Sequence, residues 1–153
     1  MAEHTATIKW VSRGEDFLSG KYSREHVWAF DGGAVVPASP APAVVPAPYS
    51  NPDYVDPEEA FVASVSSCHM LTFLYLAGRA GFRIEQYTDE AVGVVAKGDN
   101  GVPWVSMITL RPQISYAGDT TPTAEESKQL HHHAHEQCFI ANSIKSEVVI
   151  KHA

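Results

Sequence analysis

The sequence predicts an α+β fold, in which the strands come in groups separated by two helices. Alternating apolar and polar residues indicate strands before residue 40, between residues 84 and 117, and close to the C-terminal end. Helix-capping signals near residues 57 and 124 mark the two helices. The resulting order, β-β-β-α-β-β-α-β, favours grouped strands over a parallel sheet with one helix between each pair of strands.

The bulk properties bound the classes of function. The 153 residues, 44% of them hydrophobic, suit a single domain over residues 1–153, and one protomer of a small oligomer. A net charge of −7 argues against binding to nucleic acid or to an anionic membrane. No uninterrupted apolar stretch predicts a transmembrane helix, and the N-terminus lacks the pattern of a secretory signal. Two cysteines are too few for a secreted disulfide scaffold, so we expect a cytoplasmic protein.

Three short strands are predicted at the N-terminal end. Residues 5–12, 22–30 and 34–38 carry β-branched and aromatic residues, and Asp31-Gly-Gly33 supplies a turn between the second and third strands. Prolines are dense between residues 37 and 57 and predict an extended loop. Because the preceding residues are too few to bury a core of their own, we expect this loop to wrap the surface rather than to link two domains.

The first helix has a clear start and end in the sequence. Asp56 is a capping residue, Pro57 suits the first helical position, and Glu58 and Glu59 add acidic groups to the first turn. Gly81 suits the end of the helix. No charged residue lies between residues 60 and 77. A helix that is apolar on every side is normally buried on every side, so we expect a second subunit to cover it.

The C-terminal half completes the order of elements. Residues 84–97 and 103–117 predict two antiparallel strands joined by a tight turn at residues 98–101. Thr123 caps a second helix, with Glu126 as its capping-box partner, and this helix is expected to run to about Cys138. Residues 146–152 predict the last strand.

The two cysteines, Cys68 and Cys138, are the main candidates for chemistry. Each alone is typical of a small buried core residue. Carried on packed helices, the pair could instead form a dithiol/disulfide couple, provided that the chain brings the two residues within about 7 Å of each other. His69 follows Cys68 directly, but neighbouring residues on a helix point about 100° apart. An arginine from elsewhere is therefore the better candidate to favour the thiolate.

A histidine cluster in the second helix suggests a metal site. His131 and His135 lie one turn apart and could share a face, and His132 and His133 lie between them. No further cysteine or carboxylate stands at a recognised ligand spacing, apart from Glu136 and Cys138 nearby. The pattern therefore favours a solvated helix face that titrates near pH 6.5, and we expect no metal.

Two segments resemble the signatures of a known family. Asp56-Pro-Glu-Glu-Ala-Phe-Val-Ala-Ser-Val-Ser-Ser-Cys68 and Cys138-Phe-Ile-Ala-Asn-Ser-Ile144 resemble the two signature segments of the OsmC/Ohr family, the osmotically inducible protein C and organic hydroperoxide resistance proteins. The family pattern is Asn-Pro-Glu-Glu-Leu before the first cysteine and Cys-Pro-x-Ser-Asn at the second. The resemblance covers essentially the whole chain. The sequence departs from the family pattern at His69 and Phe139 and in the order Ala141-Asn142-Ser143.

The resemblance implies both a fold and an activity. The fold is OsmC-like, with antiparallel sheets wrapped around two long central helices in an intertwined homodimer. The activity is that of a thiol-dependent peroxidase that reduces hydroperoxides, organic ones above all, in the response to oxidative stress. It requires no bound cofactor but an external dithiol reductant, for which a lipoyl-bearing protein is one candidate. The alternative is a non-catalytic OsmC-like protein that senses oxidants or binds a small apolar ligand.

The resemblance also implies roles for individual residues. Cys68 resembles the peroxidatic cysteine, which becomes a sulfenic acid, and Cys138 the resolving cysteine, which forms a redox-active disulfide with it. Glu58 matches the family glutamate. Arg24 matches the family arginine best, with Arg13 as the alternative. These assignments give Arg24 the task of activating Cys68, and Glu58 that of holding Arg24.

Helix geometry adds a consequence for Glu58. On one unbroken helix, Glu58 and Cys68 are separated by roughly 15 Å along the axis and by about 80° around it. Either the helix bends, or the carboxylate beside a given Cys68 comes from a partner subunit. The second case predicts a composite site and an inactive monomer.

Apolar side chains beside the thiol, with Phe61, Phe73 and Phe139 as candidates, would favour an organic peroxide.

Overall fold

A computed structural model describes all residues from Met1 to Ala153. The chain divides into two compact units, Met1–Ala60 and Phe61–Ala153. The predicted α+β class is confirmed, with the following elements: β1 Ala6–Lys9, β2 His26–Phe30, β3 Val35–Ala38, α1 Pro57–Arg79, β4 Arg83–Asp89, β5 Val92–Lys97, β6 Pro103–Leu110, β7 Pro112–Ala117, α2 Ala124–Gln137 and β8 Glu147–Ile150.

The first unit contains an antiparallel sheet in the order β1-β2-β3. Its three strands match the predicted ones but are shorter. The second strand was predicted from residue 22 and begins at His26, because the backbone N–H of Arg24 donates to the carbonyl of Tyr49 (3.1 Å) instead of joining the ladder. The loop thus takes a backbone donor that a longer strand would have used.

The proline-rich loop is packed into the first unit, as predicted. The Ser39 hydroxyl accepts the N–H of Asn51 at 2.8 Å, and the Asn51 amide donates to the carboxylate of Glu25 at 2.7 Å. Ala38 and Val55 form a parallel bridge at the two ends of the loop. These bonds attach the loop to the sheet, so it is not a free linker.

Helix α1 has the predicted ends. The Asp56 carboxylate accepts the N–H of Glu59 at 2.8 Å, and the Glu59 carboxylate accepts the N–H of Asp56 at 3.1 Å, which satisfies two backbone donors at the start of the helix. Gly81 follows the last turn with φ of 88°, a conformation that glycine adopts without steric cost. The helix runs without interruption from Pro57 to Arg79.

The prediction of two strands between residues 84 and 117 was wrong, because there are four. The chain forms a hairpin at residues 98–101 as expected, but each arm is broken in the middle, so that β5 pairs with β6 and β4 pairs with β7 in a separate sheet. Asp89 explains the break: its carboxylate accepts the N–H of Arg111 (2.6 Å) and the hydroxyl of Ser66 (2.5 Å). Asp89 and Arg111, at the breaks of the two arms, are thus bonded to each other, and Asp89 is also bonded to α1.

Helix α2 and strand β8 complete the second unit. Thr123 and Glu126 form the predicted capping box at the start of α2. Strand β8 pairs with β6 in parallel, so the expectation of purely antiparallel sheets needs this correction. The physical reason is the long connection between the two strands: it contains α2, which brings the chain back so that β8 runs in the same direction as β6.

One stripe of α1 connects the parts of the second unit. Its buried residues recur every four positions: Val65, His69, Phe73 and Ala77. Val65 packs with Ile108 and Leu110 of β6, whereas Phe73 and Ala77 pack with Ala134 of α2. His69 therefore lies between two apolar clusters. Strand β5 approaches the same helix so closely that a Cβ atom on Gly93 would lie 2.5 Å from Val62.

The other side of α1 is apolar but uncovered. Leu71 and Tyr75 are 61% and 58% exposed. By length and composition, α1 is long and apolar enough to cross a membrane, which corrects the expectation that no segment would qualify. Its serines and threonines interrupt the apolar run but do not make it polar. The core helix of a soluble protein passes the same test.

Candidate active site

Cys68 opens onto a cavity on the uncovered side of α1. The cavity measures about 390 Å³ and is lined by Ser64, Ser67, Cys68, Leu71, Thr72 and Phe139. Its lining is mostly apolar, with hydroxyl groups and one thiol but no charged side chain. The Cys68 side chain is partly buried and is a free thiol. A small apolar molecule can therefore reach this sulfur.

Only one of the three predicted aromatic side chains lines this cavity. Phe139 does, and it is 83% exposed. Phe73 instead stacks on the ring of His131 at 4.2 Å between centroids, and Phe61 packs against the cluster around Val65. Both were placed wrongly because each shares the buried side of α1, which the sequence did not distinguish from the cavity side.

Cys138 is the residue that ends α2, and it is fully buried. Its sulfur accepts the N–H of Ala141 at 3.4 Å. The Asn142 amide donates to the carbonyls of Cys138 (2.9 Å) and Glu136 (2.8 Å), which satisfies carbonyl groups at the helix end. The last residues of the second signature segment thus fix the position of Cys138.

The two thiols are neighbours, and this affects their ionisation. Burial raises the pKa of the Cys138 thiol to about 11, and its interaction with the Cys68 side chain is the next cause. Cys138 therefore keeps its proton at neutral pH.

The two candidate arginines have different surroundings in the first unit. Arg13 forms an ion pair with Glu25 at 2.8 Å, and this contact contributes to a lowered pKa of the Glu25 carboxyl, after the hydrogen bond from Asn51. The Arg24 guanidinium donates to the carbonyls of Tyr22 (2.9 Å) and Gly20 (3.3 Å) and lies 4.0 Å from the centre of the Tyr22 ring. Arg24 is thus held in place but keeps a charge that no carboxylate neutralises.

Glu58 lies in the first turn of α1, on the same uninterrupted helix as Cys68. The chain contains no ion pair between Glu58 and Arg24, since its two salt bridges join Arg13 to Glu25 and His132 to Glu136. No break in the helix separates the carboxylate from the thiol. The roles of Glu58 and Arg24 at the thiol remain predictions.

Sequence reasoning missed a buried histidine pair next to the thiols. His69 and His131 are 1% and 3% exposed, and Nε2 of His69 lies 3.0 Å from Nδ1 of His131. Their rings stack at 5.3 Å with an angle of 5° between the planes. Burial lowers the pKa of His69 to about 4 and that of His131 to about 3. Both rings are therefore neutral at pH 7.

The predicted solvated histidine face is wrong for half of its members. His132 and His133 are exposed, but His131 is buried and His135 is partly buried. The chain holds no group of three or more ligand side chains that could bind a metal ion. A signal for the buried pair was present in the sequence: His131, Ala134 and Cys138 recur at the spacing of one inward stripe, as do Val65, His69 and Phe73.

The neutral pair should make folding stability depend on pH. The unfolded chain takes up protons on these rings as the pH falls through 6.5, whereas the lowered pKa values delay this uptake in the folded chain to about pH 4 for His69 and about pH 3 for His131. The stabilisation is present above pH 6.5 and is lost progressively as the pH falls from 6.5 towards these values. Between pH 7 and pH 5 the free energy of unfolding should fall in both proteins. We expect this fall to be smaller in the double variant His69→Gln/His131→Asn than in the wild type, by on the order of 2–3 kcal/mol, as measured by urea unfolding.

The control for this measurement is the exposed neighbour on the same helix. His133→Asn removes an imidazole that is accessible to water in both states, so the pH dependence should match that of the wild type. If the double variant and the wild type lose the same free energy of unfolding on acidification, the buried pair is not the source of the pH dependence.

Comparisons with known proteins identify the family and the fold. The sequence profile of the OsmC-like proteins matches residues 50–153. The chain is 48% identical to an OsmC-like protein of unknown function from Vibrio cholerae, whose structure it matches over 99% of both chains with a TM-score of 0.96. It also matches an organic hydroperoxide resistance protein from Elizabethkingia anophelis (20% identity, 99% and 94% coverage, TM-score 0.72).

A further match is the organic hydroperoxide resistance protein of Bacillus subtilis (19% identity, 96% and 95% coverage, TM-score 0.62). At these lower identities the likeness concerns the fold alone. A search of functionally curated proteins finds no match. The matched residues include both cysteines, Asp56-Pro-Glu-Glu59 and the segment after Cys138. The chain belongs to the OsmC-like protein family.

Proposed function

We propose that this protein is a thiol-dependent peroxidase that reduces organic hydroperoxides. The observation that carries the proposal is the pair of neighbouring free thiols, of which Cys68 opens onto an apolar cavity and Cys138 is buried and protonated. An accessible thiol next to a resolving one is the arrangement that a reversible oxidation cycle requires. The structural likeness to organic hydroperoxide resistance proteins agrees with this proposal.

The proposed cycle has three steps. The Cys68 thiolate attacks the outer oxygen of the hydroperoxide, the O–O bond breaks, and the alcohol leaves after taking up a proton. The resulting sulfenic acid reacts with the Cys138 thiol, which forms the disulfide and releases water. An external dithiol then reduces this disulfide by exchange and becomes oxidised itself. No bound cofactor takes part in these steps.

Arg24 is the proposed activator of Cys68. The lining of the cavity contains no cation, so the proposed guanidinium is not one of the residues that line it. Arg24 suits the role better than Arg13, because Glu25 already neutralises Arg13. A guanidinium beside the sulfur would favour the thiolate and donate hydrogen bonds to the peroxide oxygens.

The proposed active form is a homodimer. Leu71 and Tyr75 expose apolar surface on α1, and a second subunit would remove that surface from water. Glu58 stands too far along its own helix to serve its own Cys68, so the partner subunit would supply the carboxylate that orients Arg24. We further propose that the dimer works in the cytoplasm, where dithiol reductants are available.

Titration of free thiols tests the peroxidase proposal. One equivalent of cumene hydroperoxide per chain should remove two thiols rapidly, and dihydrolipoamide should restore both. Hydrogen peroxide should react more slowly, because the cavity is apolar. Persistence of both thiols would instead favour the alternative, an OsmC-like protein that binds a small apolar ligand without turnover.

Dilution tests the composite site. If the partner supplies Glu58, specific peroxidase activity should fall when the protein is diluted below the dissociation constant of the dimer. Sedimentation velocity at the same concentrations identifies the species present. Full specific activity in a proven monomer would refute the shared site but leave the thiol chemistry intact.

A further inference from the structure

The buried histidine pair joins the two helices that carry the thiols. His69 follows Cys68 in α1, and His131 precedes Cys138 by seven residues, which is two turns of α2. Nε2 of His69 and Nδ1 of His131 are 3.0 Å apart, so one ring donates its proton to the other. This hydrogen bond joins a side chain within α1 to one within α2, in addition to the interaction between the Cys68 and Cys138 side chains.

The surroundings of the pair give this contact its specificity. Phe73 stacks on His131, and the second ring nitrogen of His69 is buried without a partner. If the two rings separate, two further buried nitrogens lose their partners, which costs free energy in an apolar interior. The pair therefore favours one position of α2 on α1 over sliding along the apolar surface, which Ala134 and Ala77 alone would tolerate.

The groups that face the pair come from several elements. His135 lies one turn further along α2, His152 follows β8 and stands 5.3 Å from the His131 ring, and Asp89 ends β4. Asp89 is the only acidic group among them, and it is already bonded to Ser66 and the backbone of Arg111. No carboxylate hydrogen-bonds either ring, so the neutral form of both rings is the one that fits.

We propose that His69 and His131 are a positioning pair, which holds Cys138 against Cys68 by fixing α2 on α1. Neither ring hydrogen-bonds a sulfur atom, and neither lines the cavity beside Cys68. It acts by setting how often the two thiols meet, and thus how readily a disulfide forms. This inference uses the thiol pairing of the proposed function but not its peroxide step.

The test measures the effective concentration of the two thiols. The reduced protein is equilibrated with oxidised and reduced glutathione at pH 7.5, where one glutathione disulfide and two protein thiols give one protein disulfide and two glutathione thiols. We expect His131→Leu, which cannot bond His69, to lower the effective concentration about tenfold. His131→Asn keeps a donor and acceptor near the position of Nδ1, so it should remain within about threefold of the wild type.

One control variant and one stability measurement make the result specific. His133→Leu changes an exposed histidine of the same helix and should match the wild type within about twofold. The free energy of unfolding is measured for every variant. If folded His131→Leu is destabilised but forms the disulfide as readily as the wild type, the pair is merely structural and the proposal is overturned.

The wild type alone provides a second test, which applies even if His131→Leu does not fold. Coupling between two equilibria is reciprocal, so a pair that favours the disulfide must itself be strengthened by the disulfide. NMR titration of the imidazoles should give a lower pKa for His69 and His131 in the oxidised protein than in the reduced one. Equal values in the two forms contradict the proposal. If the wild type forms no disulfide with glutathione at all, the thiol pairing of the proposed function fails as well.

Discussion

Cys68→Ser should abolish hydroperoxide reduction, with a loss of at least about a thousandfold in the rate of peroxide consumption. The reason is that a serine hydroxyl does not ionise at neutral pH and cannot be oxidised as a thiol is to a sulfenic acid. Cys68 lines the cavity on the uncovered side of α1, so the exchange of sulfur for oxygen should leave the fold unchanged. Consumption of cumene hydroperoxide with excess dithiol measures the effect.

Cys138→Ser is the matched variant, and it should give a different result. Its Cys68 should react once with hydroperoxide and then stop as a sulfenic acid, which dimedone traps and mass spectrometry locates. A dithiol that attacks the sulfenic acid directly would restore slow turnover. If Cys68→Ser consumes peroxide as fast as the wild type, or if dimedone labels another residue, Cys68 is not the peroxidatic cysteine.

Arg24→Gln should have the second largest effect, a loss of about 10²–10³ in kcat/KM for the hydroperoxide. The glutamine removes the charge that favours the thiolate and the donors that stabilise the departing oxygen, and loss of one such donor typically has this size. The reactivity of the Cys68 sulfur should fall with it, because the guanidinium would no longer stabilise the thiolate. Iodoacetamide alkylation of Cys68 as a function of pH measures that change separately from peroxide turnover.

Arg13→Gln provides the control for Arg24, because the two arginines were alternatives for the same role. Arg13 is 62% exposed at its side chain and is paired with Glu25, so its replacement should change kcat/KM by no more than a few fold. A large loss in Arg13→Gln together with a small one in Arg24→Gln would exchange the two assignments. Large losses in both would indicate that Glu25 positions the active arginine through its contacts with Arg13 and Asn51.

Local signals in the sequence were sufficient to predict the helices. Asp56 with Glu59, and Thr123 with Glu126, are capping boxes that act within one turn, and Gly81 ends α1 through its own backbone freedom. Each depends on residues that are close in sequence. The hairpin at residues 98–101 is local in the same way.

The breaks in the long hairpin were not predictable in this way. Both arms are interrupted because the Asp89 carboxylate bonds Ser66 on α1 and the backbone of Arg111, which lie 23 and 22 residues away along the chain. The alternation of apolar residues continues across the breaks, so the pattern alone predicts longer strands. Tertiary contacts overrode local propensity here.

The sequence named the two candidate cysteines but not the side chains around them. Cys68 and Cys138 follow from the signature segments, and the structure makes them neighbours. His131 was assigned to a solvated helix face and His69 was considered only as a base for Cys68, although the spacing of both matches the buried stripes of their helices. A polar residue at a core position can be assigned correctly only when its hydrogen-bond partner is known. For His69 that partner is His131, which lies 62 residues away along the chain.

The central claim is that hydroperoxide joins the sulfurs of Cys68 and Cys138. Intact mass measurement of the reduced wild type, treated with one equivalent of cumene hydroperoxide per chain, tests it most directly. We expect the chain to lose two hydrogens and a non-reducing digest to contain one peptide pair cross-linked through Cys68 and Cys138. An unchanged mass, or stable addition of oxygen to Cys68 with Cys138 still free, would contradict the account.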